Sequence, residues 1–547
     1  MLLRTYVGIL ICLLLIPVGT VAIADEPPID PSKYPAMSEK QIGHLRHIVE
    51  LANLLHGDWT QMGDTPPGSN FGSYQYQIGF MAYALGVTQY HLTPAYREIY
   101  QQASNRLIEK MLHKDVWDYW ERMSKKEVLF AVDGTRKEYS EPDWLGWRDP
   151  NIKSNIMYSG HLLQMVSLYE MLFDDRRYDR PGSLSFSFSP IEYGADPTIV
   201  EYDHQKLVEV IYDQFGEDDY RGIECERGAV YTECNQHPIL GLIQYDQKHE
   251  TDFAADVTRG FEQTILDRGY ISPVTHTNMY YLDVRQDEVV PATWAWSDGW
   301  NGHAHHVWAK SYTEANYQDQ VKLYVPSMFR GEPGSDMGWT VSFDFGWFAL
   351  LASEVGDTKT VEAMLEYADR HFNPVWKNGA YFYPHTPDYR SDHLRDSQGF
   401  IRNVNPLTGN ALIGFARLNP PDGLWELYNH PWEEQHFAAP FISDVEYLEA
   451  SVSQAIYDDA RDALIVTLVP GPVEAASTTF TINQLDPSKD YAIFKDGELL
   501  GKVRVGDAGT QETRWNRDGS LTLSTTLAKP HSFVIASTAG AAVARNN

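Results

Sequence analysis

The chain has 547 residues, of which 43% are hydrophobic and 13% aromatic. That is enough apolar material for one large core and a small second domain, and it excludes a disordered protein. Lys and Arg total 44 against 75 Asp and Glu, so the net charge is −31, and a surface this acidic repels nucleic-acid phosphates and anionic membranes.

The N-terminus has the pattern of a secretory leader over residues 1–24. Arg4 precedes an apolar run, Val7 to Val18, that is short for a membrane span, and Ala22-Ile23-Ala24 is a small-x-small cleavage site. Cleavage there removes Cys12 and predicts an exported protein in an oxidising compartment. An uncleaved leader acting as an anchor is the alternative. No later segment is apolar for long enough to cross a bilayer.

Helical periodicity then dominates as far as Leu418. Ser38 to His56 carries Ile42, Leu45, Ile48, Val49 and Ala52 at helical spacing and stops at Gly57. Further helices are predicted at Tyr76–Gly86, Pro94–His113, Asn155–Phe173, Asp203–Phe215, Pro238–Tyr245, Asp252–Leu266, Thr293–Lys310, Gly338–Val355 and Thr358–His371. Their connections are long and rich in Trp, Tyr, Pro and Gly, with no alternating strand signal between them. This pattern predicts a mainly α protein, an (α/α)6 barrel over residues 25–443. After Asp444 the period changes. Leu464–Val469, Ser477–Ile482, Tyr491–Phe494, Leu521–Thr525 and Ser532–Ile535 alternate as short strands, and Asp496-Gly497 is a hairpin turn. These predict a small C-terminal all-β domain, a sandwich over 444–538, followed by a small-residue tail at 539–547 expected to be disordered.

Three stretches could carry chemistry. On the helix that opens with Asn155, Met157 and His161 are four apart and share a face, and Gly160 leaves room beside the imidazole. A histidine on an apolar helix face is more often a satisfied core residue than a catalyst. In GIECERGAVYTECNQHP, Gly222 to Pro238, Cys225 and Cys234 are the only cysteines left once the leader is gone. Glu226 adjoins the first. Asn235 is a good N-cap, which would set Cys234 just before a helix N-terminus, where the macrodipole favours thiolate. Two readings stay open: a disulfide closing a short loop, or working thiols that join Glu226 and His161 in an acid–base set. In WAWSDGWNGHAHHVW, Trp294 to Trp308, the spacing of His303, His305 and His306 does not suit a metal on one helix face, and an aromatic pocket wall is the better reading. Stacked Trp residues also suit sugars. A polysaccharide-cleaving enzyme would need paired acids across a cleft, for which Asp298 is the one loop candidate. A binding protein whose cysteines have become a staple is the third possibility.

DPNIKSNIMYSGHLLQMVSLYEMLFDDRRYD (149–179) and GIECERGAVYTECNQ (222–236) closely resemble the linalool dehydratase/isomerase family, and YQIGFMAYALG (76–86) and FALLASEVGD (348–357) match other helices of the family in order. The resemblance runs from about Tyr34 to Leu418 and leaves out the β-domain. It implies an exported lyase or isomerase that works by acid–base chemistry on a small hydrophobic terpene alcohol, without metal or organic cofactor. Carried over by motif, His161, Cys225, Glu226 and Cys234 take catalytic positions, and Tyr76 and Met157 line the substrate chamber. The family also uses an Asp and a Tyr, six apart, that reach the pocket from a neighbouring subunit, which implies a homo-oligomer. The ungapped match puts Asn53 and Trp59 there. Neither has a titratable group, so the substrate and the assembly are both expected to depart from the family pattern.

Overall fold

Ser38 starts the first long helix of the structure, a computed structural model that describes residues 29–63, 74–189, 194, 196–325, 342–386, 404–473, 477–506 and 512–538. The expected leader with Cys12, the tail at 539–547 and the predicted helical residues 338–341 lie outside these. Ser38 and Gln41 form a reciprocal capping box on α1 (Glu39–Ala52). The chain continues through α2 (Tyr74–Leu92), α3 (Glu98–Met111), two short helices α4 (Lys114–Trp117) and α5 (Tyr119–Met123), α6 (Ile156–Phe173), α7 (His204–Glu217), α8 (Thr232–His249), α9 (Phe253–Arg268), α10 (Ala295–Trp308) and α11 (Lys310–Tyr324). Beyond these lie α12 (Ser342–Glu354), α13 (Thr358–His371), α14 (Ile413–Leu418), which follows a π-helical turn at Thr408–Leu412, and α15 (Gly423–Asn429).

Sequence pattern sorts the helices into two layers. α3, α7, α9 and α13 bury one stripe each, for example Leu207, Val208, Ile211 and Phe215 on α7, as helices with one wet face do. α2 and α6 are buried almost all round, which only helices surrounded by protein achieve. The inner helices pack in succession: α2 on α6, α6 on α8, α8 on α10, α10 on α12, α12 on α14, and α14 back on α2. α3, α7, α9, α11 and α13 cover them from outside.

Pairs of short strands interrupt the helical region, at 127–130 with 136–139, 184–188 with 198–202, 375–377 with 380–382, and 229–230 with 279–283 and 288–291. Sequence periodicity missed them, because runs of two to five residues are too short to show alternation.

The β-region is two antiparallel sheets. One has the order 441–443, 478–483, 521–525, 513–515, and the other 450–458, 463–470, 531–537, 490–495, 498–504. Asp496 and Gly497 both take positive φ, 49° and 87°, in the expected hairpin turn. The first strand, Phe441–Ser443, precedes the boundary expected at 444 and pairs with Thr478–Asn483. The sheets dock on the helices through backbone bonds from Ala95 to Ala455, Ile442 to Ala95 and Met37 to Ser453. Arg46, buried on α1, reaches the Ser451 hydroxyl and the carbonyls of Tyr447 and Ala450.

α6 and α8 form the closest helix pair, and a glycine sets their separation. A Cβ on Gly160 would come within 2.6 Å of Pro238 Cδ and 3.2 Å of Pro238 N. Pro238 sits inside α8, and its nitrogen has no hydrogen to return to the Cys234 carbonyl one turn back. Gly160→Ala is expected to cost about 1–3 kcal/mol by overpacking this contact, read as a lower denaturant midpoint at unchanged slope.

Candidate active site

His161 is carried on the inner helix α6 and is fully buried. Tyr83 Oη lies 2.8 Å from its Nδ1, while Nε2 has no hydrogen-bond partner. Gly79 makes the room, since a Cβ there would stand 2.8 Å from Nδ1. The ring of His237 stacks on that of His161 at 3.7 Å between centroids. Trp300 Nε1–H donates to His237 Nε2 at 2.7 Å, so the proton on His237 Nδ1 is the one given to Gln164 Oε1 at 2.8 Å. Burial drives both imidazoles towards the neutral form. It takes His161 down to about 3, with His303 adding to the effect, and His237 well below the usual histidine range.

Cys225 lies in the loop before the two-residue strand Ala229–Val230, and its backbone N–H bonds the Ala229 carbonyl. Cys234 lies in the first turn of α8, which begins at Thr232. The expected cap at Asn235 is corrected: Asn235 sits inside the helix and holds the loop, accepting from Ile223 N at 2.8 Å and donating to Ile223 O at 2.9 Å. Both cysteines are buried thiols, unbonded to each other. The expectation of a thiolate at a helix start is also corrected. Burial outweighs the dipole, raising Cys225 well above the usual thiol range and Cys234 to about 11. The two thiols neighbour one another, and burial keeps both protonated.

Tyr76 connects the thiols to the imidazole. Its ring stands edge-on to His161 at 5.5 Å and to Trp300 at 5.0 Å, and its hydroxyl donates to Met157 Sδ at 3.2 Å. Burial raises the Tyr76 phenol far above its usual range, reinforced by the neighbouring Cys234, Glu226 and Cys225. The same three groups raise Tyr119, whose hydroxyl is held by Asn155 Oδ1 at 2.7 Å.

Glu226 is buried with one carboxyl oxygen unpartnered, and burial lifts it to about 7. Two further acids, not foreseen as members of this set, lie close by. Glu233, next to Cys234, is lifted by burial to about 8 and is held by Thr232 Oγ1 and Asn278 Nδ2, each at 3.2 Å. Asp298 is lifted by burial to about 7. It is not in a loop as expected but in the first turn of α10, accepting from Tyr324 Oη and Asn278 N, each at 2.6 Å. Carboxyls that keep their protons near neutral pH are general-acid material.

Other expected residues lie elsewhere. Asn53 is the exposed C-cap of α1 and accepts from Arg106. Trp59 stacks on Tyr74 at 4.5 Å and donates to Asp115 at 3.2 Å. Neither touches His161 or the thiols within this chain. His303, His305 and His306 diverge, bonding Gly299 O, Thr313 and Glu354 respectively.

A mainly helical fold buries two thiols, stacked imidazoles and carboxyls of raised pKa among aromatic rings. The sequence model of the linalool dehydratase/isomerase family matches residues 75–389. The chain belongs to that family, whose members are enzymes. Among solved structures, the GH76 α-mannanase of Bacteroides thetaiotaomicron is similar at TM-score 0.40 and 10% identity, over 73% of this chain and 100% of that one. An unsaturated glucuronyl hydrolase specific for heparin gives 0.40 and 10%, over 70% and 96%. Dfg5 from Chaetomium thermophilum gives 0.39 and 11%, over 71% and 93%. No helix among the described residues is long and apolar enough to cross a membrane.

Proposed function

We propose that the chain is a dehydratase or isomerase of a small hydrophobic allylic alcohol of the terpenoid class, exported after loss of its leader. The observation that carries this is the gathering of Glu226, Cys225, Cys234 and His161 around the Tyr76 ring. Glu226 gives its proton to the substrate hydroxyl, the C–O bond breaks, and water and an allylic cation form. The face of Trp300 and the rings of Tyr76 and Phe80 shelter that cation. A carbocation is acidic enough at the adjacent carbon to protonate even a buried imidazole, so His161 Nε2 takes that proton and the alkene forms. The proton returns to Glu226, and the balance is alcohol to alkene plus water. Return of water at the other end of the allyl system gives the isomer. A thioether route runs beside it: the Cys234 sulfur attacks the cation as its S–H proton passes to His161 Nε2, and the C–S bond reopens when that proton returns to sulfur. The closed succession of six inner helices, covered by α3, α7, α9, α11 and α13, supports an (α/α)6 barrel as the scaffold. The surface position of Asn53 leaves it available to a second copy of the chain.

The test is turnover of a panel of tertiary and secondary allylic terpene alcohols by the purified protein, with diene and isomer read by gas chromatography. Product from at least one alcohol, abolished in the Cys225→Ala/Cys234→Ala double variant, is expected. Cleavage of a polysaccharide that survives that variant would replace this reading with a glycosidase.

A further inference from the structure

At the outer end of α6, away from the thiols, four chemistry-bearing side chains from four elements converge. Glu170 comes from α6, Asp179 from the 3₁₀ turn Arg177–Asp179, His204 from the first position of α7 and His249 from the last position of α8. One ligand atom from each lies within 4.8 Å of all the others. His204 Nδ1 stands 3.2 Å from Glu170 Oε2 and 3.5 Å from Asp179 Oδ1, and His249 Nε2 stands 2.9 Å from Glu170 Oε2.

We propose that these four residues bind a divalent cation of the zinc class, a structural site that ties α6, α7 and α8 together. Three observations beyond the cluster itself support this. His204 is wholly buried, yet its Nδ1 makes no aligned hydrogen bond although two carboxylate oxygens face it. Its other nitrogen, Nε2, lies 2.9 Å from Ser167 Oγ. If Nε2–H donates to that hydroxyl, Nδ1 is the nitrogen left to face the cluster, the arrangement by which outer partners orient metal-binding histidines. Glu170 is buried too, with Oε1 lacking a hydrogen bond and only the half-exposed Arg176 Nε near it, at 3.2 Å.

The donor set selects the ion. Two imidazole nitrogens and two carboxylate oxygens suit Zn²⁺ and its first-row neighbours, whereas Mg²⁺ and Ca²⁺ prefer oxygen throughout. Charge agrees, since two carboxylates and one divalent cation sum to zero, which is what a buried site needs. Asp179 and His249 keep 29% and 18% of their side-chain surface exposed, giving the ion a way in. The other candidate group, His306, Glu314 and Asp422, brings together three ligand groups where this one brings four.

The full-length protein, stripped with a chelator and dialysed against ZnCl₂ or CoCl₂, tests the site. About one equivalent of zinc should remain per chain, the cobalt form should show visible bands of tetrahedral type, and zinc should raise the melting temperature. His249→Gln, on the exposed side, should lose the ion and the thermal gain, with His204→Gln as the second variant. The Cys225→Ser/Cys234→Ser variant should keep both. No retained zinc with an unchanged melting temperature overturns the proposal. So does zinc that persists in both histidine variants or vanishes in the cysteine variant.

Discussion

Glu226→Gln is expected to lower turnover by about 10²–10⁴-fold, the usual contribution of a general acid, and to remove the decline in rate expected of the parent above pH about 7 as this carboxyl ionises. Burial supplies the reason: the carboxyl cannot ionise cheaply among Tyr76, Tyr119 and the thiols, so it keeps a transferable proton at neutral pH. Glutamine has the same shape and no such proton. A stability measurement separates this from misfolding. The carboxyl holds in the fold a proton that the unfolded chain releases above its ordinary value of 4.5. Its contribution is therefore fully present below that pH and is lost as pH rises through about 7. The variant should match the parent near pH 4 and exceed it in melting temperature near pH 9. A variant that keeps full turnover with the same pH profile would remove Glu226 from the mechanism.

Cys234→Ala and Cys225→Ala are each expected to reduce turnover by at least about 10²-fold. Both thiols are free, buried and neighbours of Tyr76, so each loss removes a proton-carrying group from the set. Thiol titration of the denatured, unreduced mature protein should count both cysteines as free. A count of zero, or equal small losses in the two variants, would make the pair a staple.

Much of this site was legible because its signals are local. The i, i+4 spacing of Met157 and His161 and the small Gly160 are helix geometry, and helix geometry holds wherever the helix is packed. The cysteine passage was legible as a unit, but its interior was misread. Pro238 resembles a helix start, which puts the expected helix six residues after its actual beginning at Thr232, and Asn235 is not a cap but a clasp on Ile223. His237 was overlooked for the same reason. Its role comes from Trp300 and Gln164, distant in sequence, and nothing near position 237 announces them. Glu233 stands beside Cys234 in plain view, but its raised acidity constant is a property of burial, which a single sequence does not display. Asn53 is exposed and Trp59 half-buried against Tyr74, so neither expected position joins the thiols within the chain.

The early first strand has a consequence for anyone wishing to trim the molecule. Phe441–Ser443 is stitched to the helices by Ala95 on one side and to the sheet by Thr478–Asn483 on the other. Arg46 spends its hydrogen bonds on residues 447–451. A cut at 443/444 would split a sheet and strip a helical guanidinium of its acceptors at one stroke. The β-region is therefore not a detachable appendage but a graft whose roots lie inside the helical body, and shortened versions are expected to be insoluble rather than merely slower.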